Sequence, residues 1–400
     1  MVAPASKSYL QRAIAIAALA KGTSVLKNIS WCNDSKAAAH IARGLGAELV
    51  EEDNNLHIES KGLSITSKNR FCAGEAGLSI RMFSPVLALA NHEIIFTGEG
   101  SLLKRPAGFI ADALNQLDAG VTTSNGFLPL TIKGGLKPGI VHVDGSVSSQ
   151  LLTGLLMALP LLKGDSTILV DNLKSIPYID MTLSIMEHFG VDVINEQYQV
   201  FHIKGNQQYS AKTYNIEGDW SAASFLLIIG AVKGGVEVRN LKGDSKQADR
   251  KIIAALKKSG AEIEQTGNSV IVKQKKLDAF EFDATHSPDL FPPLACLASQ
   301  CTGTSVIKGV SRLVHKESNR AETIKQEFAK MGIAIRLKDD RMYITGSNPL
   351  PCTVDSHNDH RIAMAGGVMN LFCDAGTIRV TNPQAINKSY PEFFDVIGDL

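Results

Sequence analysis

The stretch ALAKGTSVLKN, residues 18–28, decides the fold: an apolar helical segment ends, a Lys-Gly break follows at Gly22, and a short β-rich run begins. The phrase returns as ALANHEIIFTG around Asn91, LPLLKGDSTILVDN around Gly164 and GAVKGGVEVRN around Gly235. It closes as SQCTGTSVIKG around Gly303 and LFCDAGTIRVTN around Gly376. The interval is roughly 70 residues each time, and self-similarity at a fixed period marks a repeat architecture. A second phrase keeps the same beat, as LGAELV at Gly46, LDAGVTT at Asp118, FGVDVI at Gly190, SGAEIE at Gly260 and MGIAIR at Gly332. There a helix ends at a residue suited to the left-handed C′ position, and the alternation of a half-buried strand follows. At roughly 70 residues each unit outgrows a solenoid repeat and predicts a small sheet carrying two helices. Six such units over 400 residues group as three plus three, crossing near Tyr214–Asp219. A cleft between two such domains is a favoured place for a small ligand.

Composition narrows the class. A formal net charge of +1 argues against a general nucleic-acid or membrane-surface binder. Apolar content of 44% suffices for two buried cores. The six cysteines form no CxxC pair and read as reduced. The N-terminus has no basic n-region, so no signal peptide is expected, and the apolar run Leu151–Leu162 is too short and interrupted to span a bilayer. A cytoplasmic protein is expected.

Several motifs place cations, hydroxyls and carboxylates at helix starts. In Ser6-Lys7-Ser8-Tyr9-Leu10-Gln11-Arg12, a serine can cap the helix while Lys7, Ser8 and Arg12 crowd its anion-attracting first turns. Gly74-Glu75-Ala76-Gly77-Leu78-Ser79-Ile80-Arg81 repeats glycine, helix start and arginine, with Lys104-Arg105 further on. Asp144 to Gln150 sets the hydroxyls of Ser148 and Ser149 and the Gln150 amide ahead of a buried helix. Glu317 and Arg320 are spaced to share a helix face within His315 to Arg320. Asp289 precedes LFPPLACLA as a helix N-terminal aspartate or a general base. His357-Asn358-Asp359-His360 has an HxxH spacing without an evident third zinc ligand, so no metal is expected and Arg361 reads as an anion contact. Singly, each motif reads more simply as a capped helix or a solvated charge. Jointly, anion-binding types recur at corresponding places in several units.

SKSYLQR, GEAGLSIR, DGSVSSQ, IPYID, EGDWSAASF, HKESNR, NDHRIAM and NKSYP, in this order and spacing, resemble 5-enolpyruvylshikimate-3-phosphate synthase over almost the entire chain. The resemblance implies an α/β (α+β) fold: a two-domain inverse α/β barrel of six βαβαββ-type repeats, three per domain, with the active site in the interdomain cleft. The implied boundaries are 6–217 for one domain, and 1–5 with 218–400 for the other. The implied activity transfers the enolpyruvyl group of phosphoenolpyruvate to the 5-hydroxyl of shikimate 3-phosphate, releasing phosphate without metal or organic cofactor. A monomer is expected, with small molecules as its only partners.

Carried over by motif, the resemblance implies that Lys7, Ser8, Arg12, Ser148, Ser149, Ser175, Tyr178 and Lys316 meet shikimate 3-phosphate, with Gln150 bridging both ligands. Gly77, Arg105, Arg320, Arg361 and Lys388 hold phosphoenolpyruvate, His360 belongs to the substrate-binding set, Lys7 lies near phosphoenolpyruvate, and Arg81 supports the Gly77 loop. Asp289 is the implied proton acceptor and Glu317 the implied donor, with Lys7 and Lys388 completing the catalytic set. Four departures stand out. Glu75-Ala76-Gly77-Leu78 replaces the common Asn-Ala-Gly-Thr, Met82 follows Arg81 in place of Pro, Ile176 stands for Lys, and Arg312 for Asn. The chain starts almost at the SKS motif, where relatives carry a preceding strand that completes the other domain. Two competing readings are a catalytically silent homologue that binds anionic ligands and UDP-N-acetylglucosamine enolpyruvyl transferase. The latter uses a loop cysteine, but the residues around Cys72 resemble the shikimate enzyme.

Overall fold

The computed structural model describes residues 1–63, 68–146, 148–314 and 316–398. Val147 and His315, which fall within two of the motifs, lie outside the described residues. The chain divides into two compact units, Ala5–Ile216 and Met1–Pro4 with Glu217–Leu400.

Each complete repeat runs strand, helix, strand, helix, hairpin. In the second repeat the strand Arg70–Cys72 leads to the helix Gly77–Leu87 and the parallel strand Ile94–Thr97. The helix Gly108–Asn115 follows, then the hairpin Val121–Ser124 and Phe127–Ile132, whose second strand pairs antiparallel with Ile94–Thr97. The third repeat, from Ile140 to Ile203, and the fifth, from Glu281 to Thr345, pair their strands in the same order. In the first repeat the leading strand is Thr213–Asn215, which runs parallel to Lys21–Lys27. In the fourth, Val2 takes that place by a parallel bridge to Arg239 beside the strand Val236–Val238. The sixth repeat has a two-stranded sheet, Cys352–Asp355 with Ile378–Thr381, and continues into a 3-10 turn and the short helix Phe393–Gly398.

The two helices of a repeat differ in kind, and the sequence says why. The first is apolar on every face and buried along nearly its whole length: Lys7–Leu19, Gly77–Leu87 and Ser149–Ala158 in one unit, Trp220–Lys233, Phe291–Ser299 and His360–Leu371 in the other. A helix without a polar face belongs inside a core. The second helix, such as Asn33–Gly44 or Arg320–Lys330, buries one stripe and exposes the rest. Each unit therefore carries its own core of inner helices covered by sheets and outer helices. Gly154 allows two inner helices to touch, since a Cβ there would lie 2.4 Å from the Met82 carbonyl oxygen. The outer helices end as the second phrase predicts: Gly46, Asp118, Gly190, Gly260 and Gly332 all have positive φ.

No helix among the described residues is long and apolar enough to cross a membrane. The expected strand in FGVDVI begins only at Ile194, because Val191 turns into the core as the helix ends.

Candidate active site

Each inner helix presents free N–H groups and the positive end of its dipole at its start. In the unit Ala5–Ile216, those starts carry Lys7, Gly77 and Ser149. Ser175 and Tyr178 stand at the start of the outer helix Ile176–His188.

Gly77 opens its helix, and Arg81 one turn on donates to the Gly77 carbonyl at 3.2 Å and to Gln150 Oε1 at 2.8 Å. The backbone of Gln150 is held by Ser148, the N-cap residue, whose Oγ accepts from the Gln150 backbone N–H at 3.1 Å. Arg105 follows the 3-10 turn Gly100–Lys104, and a Cβ on Gly77 would lie 2.5 Å from its Nη1. No described residue hydrogen-bonds the Arg105 guanidinium, and its Nε is buried. A half-buried cation of this kind suits an anion. Gly77→Ala is therefore expected to displace Arg105, raising the KM for an anionic substrate about tenfold with little change in unfolding midpoint. Steady-state kinetics and a thermal melt check this.

Around Tyr178 the arrangement differs from the expectation of a cation at a helix surface. Arg12 is buried, and its Nε donates to Thr182 Oγ1 at 3.0 Å, Nη1 to the Ser8 carbonyl at 2.8 Å and Nη2 to the Tyr178 carbonyl at 3.4 Å. Burial lowers its pKa to about 10. A guanidinium has five N–H donors, so these three bonds leave two among the described residues. Lys7 Nζ lies 2.9 Å from Asp34 Oδ2, a partner the sequence reading passed over. The N-cap of the first helix is Ser6, but its side chain makes no capping bond. Capping by Ser6 or Ser8 is thus corrected: Ser6 stands at the N-cap without a side-chain capping bond, and Ser8 lies inside the helix.

The other unit gathers its charges on Arg320. This side chain is fully buried, with Nε at 2.9 Å and Nη2 at 3.2 Å from the two Asp359 oxygens. Its Nη1 donates to Asp289 Oδ1 at 2.8 Å and its Nη2 to Glu317 Oε2 at 2.6 Å. Lys316 Nζ lies 3.2 Å from Asp289 Oδ1, and Arg361 Nη2 3.4 Å from Asp289 Oδ2. Burial pushes the Lys316 ammonium below its ordinary range, opposed by Asp289. Burial also works against the Arg320 and Arg361 charges, but their neighbouring carboxylates outweigh it and raise both. Glu317 pairs with Arg320 from the loop before the helix, not from a shared helix face, because the helix begins at Arg320 itself. Asp289 sits in the 3-10 turn Pro288–Leu290 that leads into the helix Phe291–Ser299.

Asp359, which the sequence reading noted only inside the HxxH spacing, is the hub of this group. It is fully buried, caps the helix His360–Leu371 by accepting from the Arg361 amide at 3.0 Å, and accepts from Ser318 Oγ at 3.2 Å. An aspartate ahead of an apolar helix is the signal that could have found it. His360 is buried beside it, with Nδ1 4.0 Å from Asp359 Oδ1. His357 is held instead by Glu327, 2.9 Å away. Among the described residues no group of three or more His, Cys, Asp or Glu could hold a metal ion. Lys388, at the end of the 3-10 turn Pro383–Lys388, donates to the Asn358 carbonyl at 2.6 Å and so reaches the loop that carries Asp359.

Asp249 lies behind this group, buried in the 3-10 turn Ala248–Lys251. Burial, then the Asp289 charge, pushes its carboxyl up to about 6, against the pull of Arg361. The folded state thus binds this proton more tightly than the unfolded chain. Its contribution to stability is full below pH of about 4 and is lost as pH rises through about 6. Asp249→Asn is expected to remove that decline, so the variant's urea midpoint relative to wild type rises between pH 4 and 7.

Chemically, one unit offers helix N-termini, hydroxyls and, in Arg105, a cation without a carboxylate partner among the described residues, suited to phosphate and hydroxyl ligands. The other offers two partly exposed carboxylates, Asp289 and Glu317, held at fixed points by one buried arginine. That is the equipment for moving protons on a polyanionic substrate.

The chain is similar to known proteins over its whole length. The family model described as EPSP synthase (3-phosphoshikimate 1-carboxyvinyltransferase) matches residues 1–397. A 3-phosphoshikimate 1-carboxyvinyltransferase from Clostridium kluyveri is 38% identical over 99% of this chain and 93% of its own length. Another, from Shewanella woodyi, is 38% identical over 99% of this chain and 95% of its own. Among solved structures, EPSP synthase from Acinetobacter baumannii superposes with a TM-score of 0.81 at 23% identity, covering 100% of this chain and 94% of that one. The enolpyruvyl transferase NikO from Streptomyces tendae follows at a TM-score of 0.77 and 16% identity, covering 100% of this chain and 94% of that one.

Proposed function

The chain belongs to the EPSP synthase (3-phosphoshikimate 1-carboxyvinyltransferase) family, and from that premise we propose how its residues divide the work. Its activity is the transfer of the enolpyruvyl group of phosphoenolpyruvate to shikimate 3-phosphate, with release of phosphate. Both substrates are small anions, and the abundance of Arg and Lys in both candidate sets answers their charge.

We assign Ser8, Arg12, Ser148, Ser149, Ser175, Tyr178 and Lys316 to shikimate 3-phosphate. The two unused Arg12 donors and the hydroxyls at helix starts support this. We assign Gly77, Arg105, Arg320, His360, Arg361 and Lys388 to phosphoenolpyruvate, with Lys7 and Gln150 serving both ligands and Arg81 holding Gln150 and the Gly77 turn.

The chemistry needs three proton movements. Asp289 takes the proton of the 5-hydroxyl as its oxygen attacks C2 of phosphoenolpyruvate. Glu317 gives a proton to C3, and the tetrahedral intermediate results. The Glu317 carboxylate then takes a proton back from C3 as phosphate departs, which restores the double bond in the product. Lys7 and Lys388 offset the developing charge. The observation that carries this assignment is the single buried Arg320 gripping both carboxylates, at 2.8 Å and 2.6 Å. We also propose a monomer working in the cytoplasm, in keeping with six unpaired cysteines.

The test is phosphate release by the purified chain from phosphoenolpyruvate, with and without shikimate 3-phosphate. Release that requires both supports the assignment. Release from phosphoenolpyruvate alone, or from neither mixture with a folded protein, overturns it.

A further inference from the structure

We propose that Glu75 is a positioning residue for Arg105 and thereby sets the affinity for phosphoenolpyruvate; this rests on the transferase reading above. Glu75 stands where the family pattern commonly has asparagine. Its Oε2 accepts from both the Ser101 backbone N–H, at 3.0 Å, and the Ser101 hydroxyl, at 2.9 Å. Ser101 is the second residue of the 3-10 turn Gly100–Lys104, and Arg105 follows directly on that turn.

The frame around this contact is tight. The Glu99 amide donates to the Gly74 carbonyl at 2.7 Å, drawing the two loops together one residue before Glu75 and two before Ser101. Gly100 has φ +51°, and a Cβ there would lie 2.4 Å from the Glu75 carboxyl carbon. Glycine therefore suits this position on two counts, because the carboxylate packs directly over it.

Arg105 needs such a frame. Its guanidinium has no hydrogen-bond partner among the described residues, so the backbone that carries it decides where its charge sits. On the other side it lies against Gly77, where even one added carbon would reach Nη1. Glu75 thus links the Gly74–Gly77 turn to the Arg105 turn. Its Oε2 is engaged with Ser101, and the latch places a cation for the incoming carboxylate or phosphate.

The experiment is steady-state kinetics of the full chain on both substrates for Glu75→Ala, Arg105→Ala and the double variant. Glu75→Ala is expected to raise the KM for phosphoenolpyruvate about tenfold, the cost of two hydrogen bonds. The KM for shikimate 3-phosphate should change less than about twofold, within the scatter of a distant surface change. Glu75→Gln, whose amide oxygen can still accept from Ser101, should recover most of the loss. In the Arg105→Ala background, Glu75→Ala should add nothing, because its effect runs through the missing guanidinium. Should Glu75→Ala fail to fold, Glu75→Asp, one methylene short of Ser101, carries the same expectations. A full Glu75 effect persisting without Arg105, or an equal rise in both KM values, overturns the proposal while leaving wild-type turnover, and so the transferase reading, intact. A folded wild type without turnover overturns the transferase reading instead.

Discussion

Glu317→Gln is expected to bind shikimate 3-phosphate normally and to turn over about 10²–10⁴-fold more slowly, the usual contribution of a positioned acid or base. The amide keeps the side-chain volume, and its oxygen can still accept the Arg320 bond that Glu317 makes at 2.6 Å. What it lacks is a carboxyl proton to give to carbon. Asp289→Ala is expected to lose turnover to a similar degree, for the complementary reason: no group remains to take the hydroxyl proton. Calorimetric titration of shikimate 3-phosphate separates binding from chemistry, and phosphate release measures the chemistry. Normal turnover in both variants would mean that the proton donor and acceptor are other residues.

Arg320→Met is expected to destabilise the unit containing it by about 3–5 kcal/mol, the cost of breaking a buried ion pair by removing one partner. Methionine fills much of the volume, so a cavity is not the cause. The cause is charge. Asp359 is fully buried and loses the two Arg320 bonds, while Asp289 and Glu317 lose one each. Arg320→Lys should recover little of this, because one ammonium cannot reproduce a fork that serves three carboxylates. The chain's two tryptophans make the measurement clean: Trp31 lies in one unit and the fully buried Trp220 in the other. In a Trp31→Phe background, urea unfolding followed by Trp220 fluorescence reports the unit that holds Arg320. A loss below about 1 kcal/mol would place Arg320 among surface-like pairs and remove the argument that it positions the two carboxylates.

Much of the architecture was legible because it repeats. A Lys-Gly break and a helix-ending glycine or aspartate recur at fixed intervals, and local backbone needs produce both: the left-handed C′ position at Gly46, Gly190, Gly260 and Gly332 admits few other residues. The all-apolar inner helices were equally plain, since no polar face means no solvent face. Individual motifs were less decisive. SKSYLQR reads as a capped helix with exposed cations, whereas Arg12 is buried against Thr182 and Tyr178, residues far along the chain. No local pattern near Arg12 announces a partner 170 residues away.

The sequence by itself determined the repeat count, the apolar character of the recurring helical segments and the residue types at helix starts, because these follow from backbone conformation and hydrophobic period over short spans. Only the tertiary structure decided which charges meet. Asp289, Glu317, Arg320 and Asp359 come from separate elements of two repeats, and their assembly depends on how inner helices pack. The same holds for Glu75 and Ser101, and for Lys7 and Asp34. A buried charge must find its partner wherever the fold brings one, since leaving it unpaired costs several kcal/mol. That requirement acts through space, and the chain order does not record it.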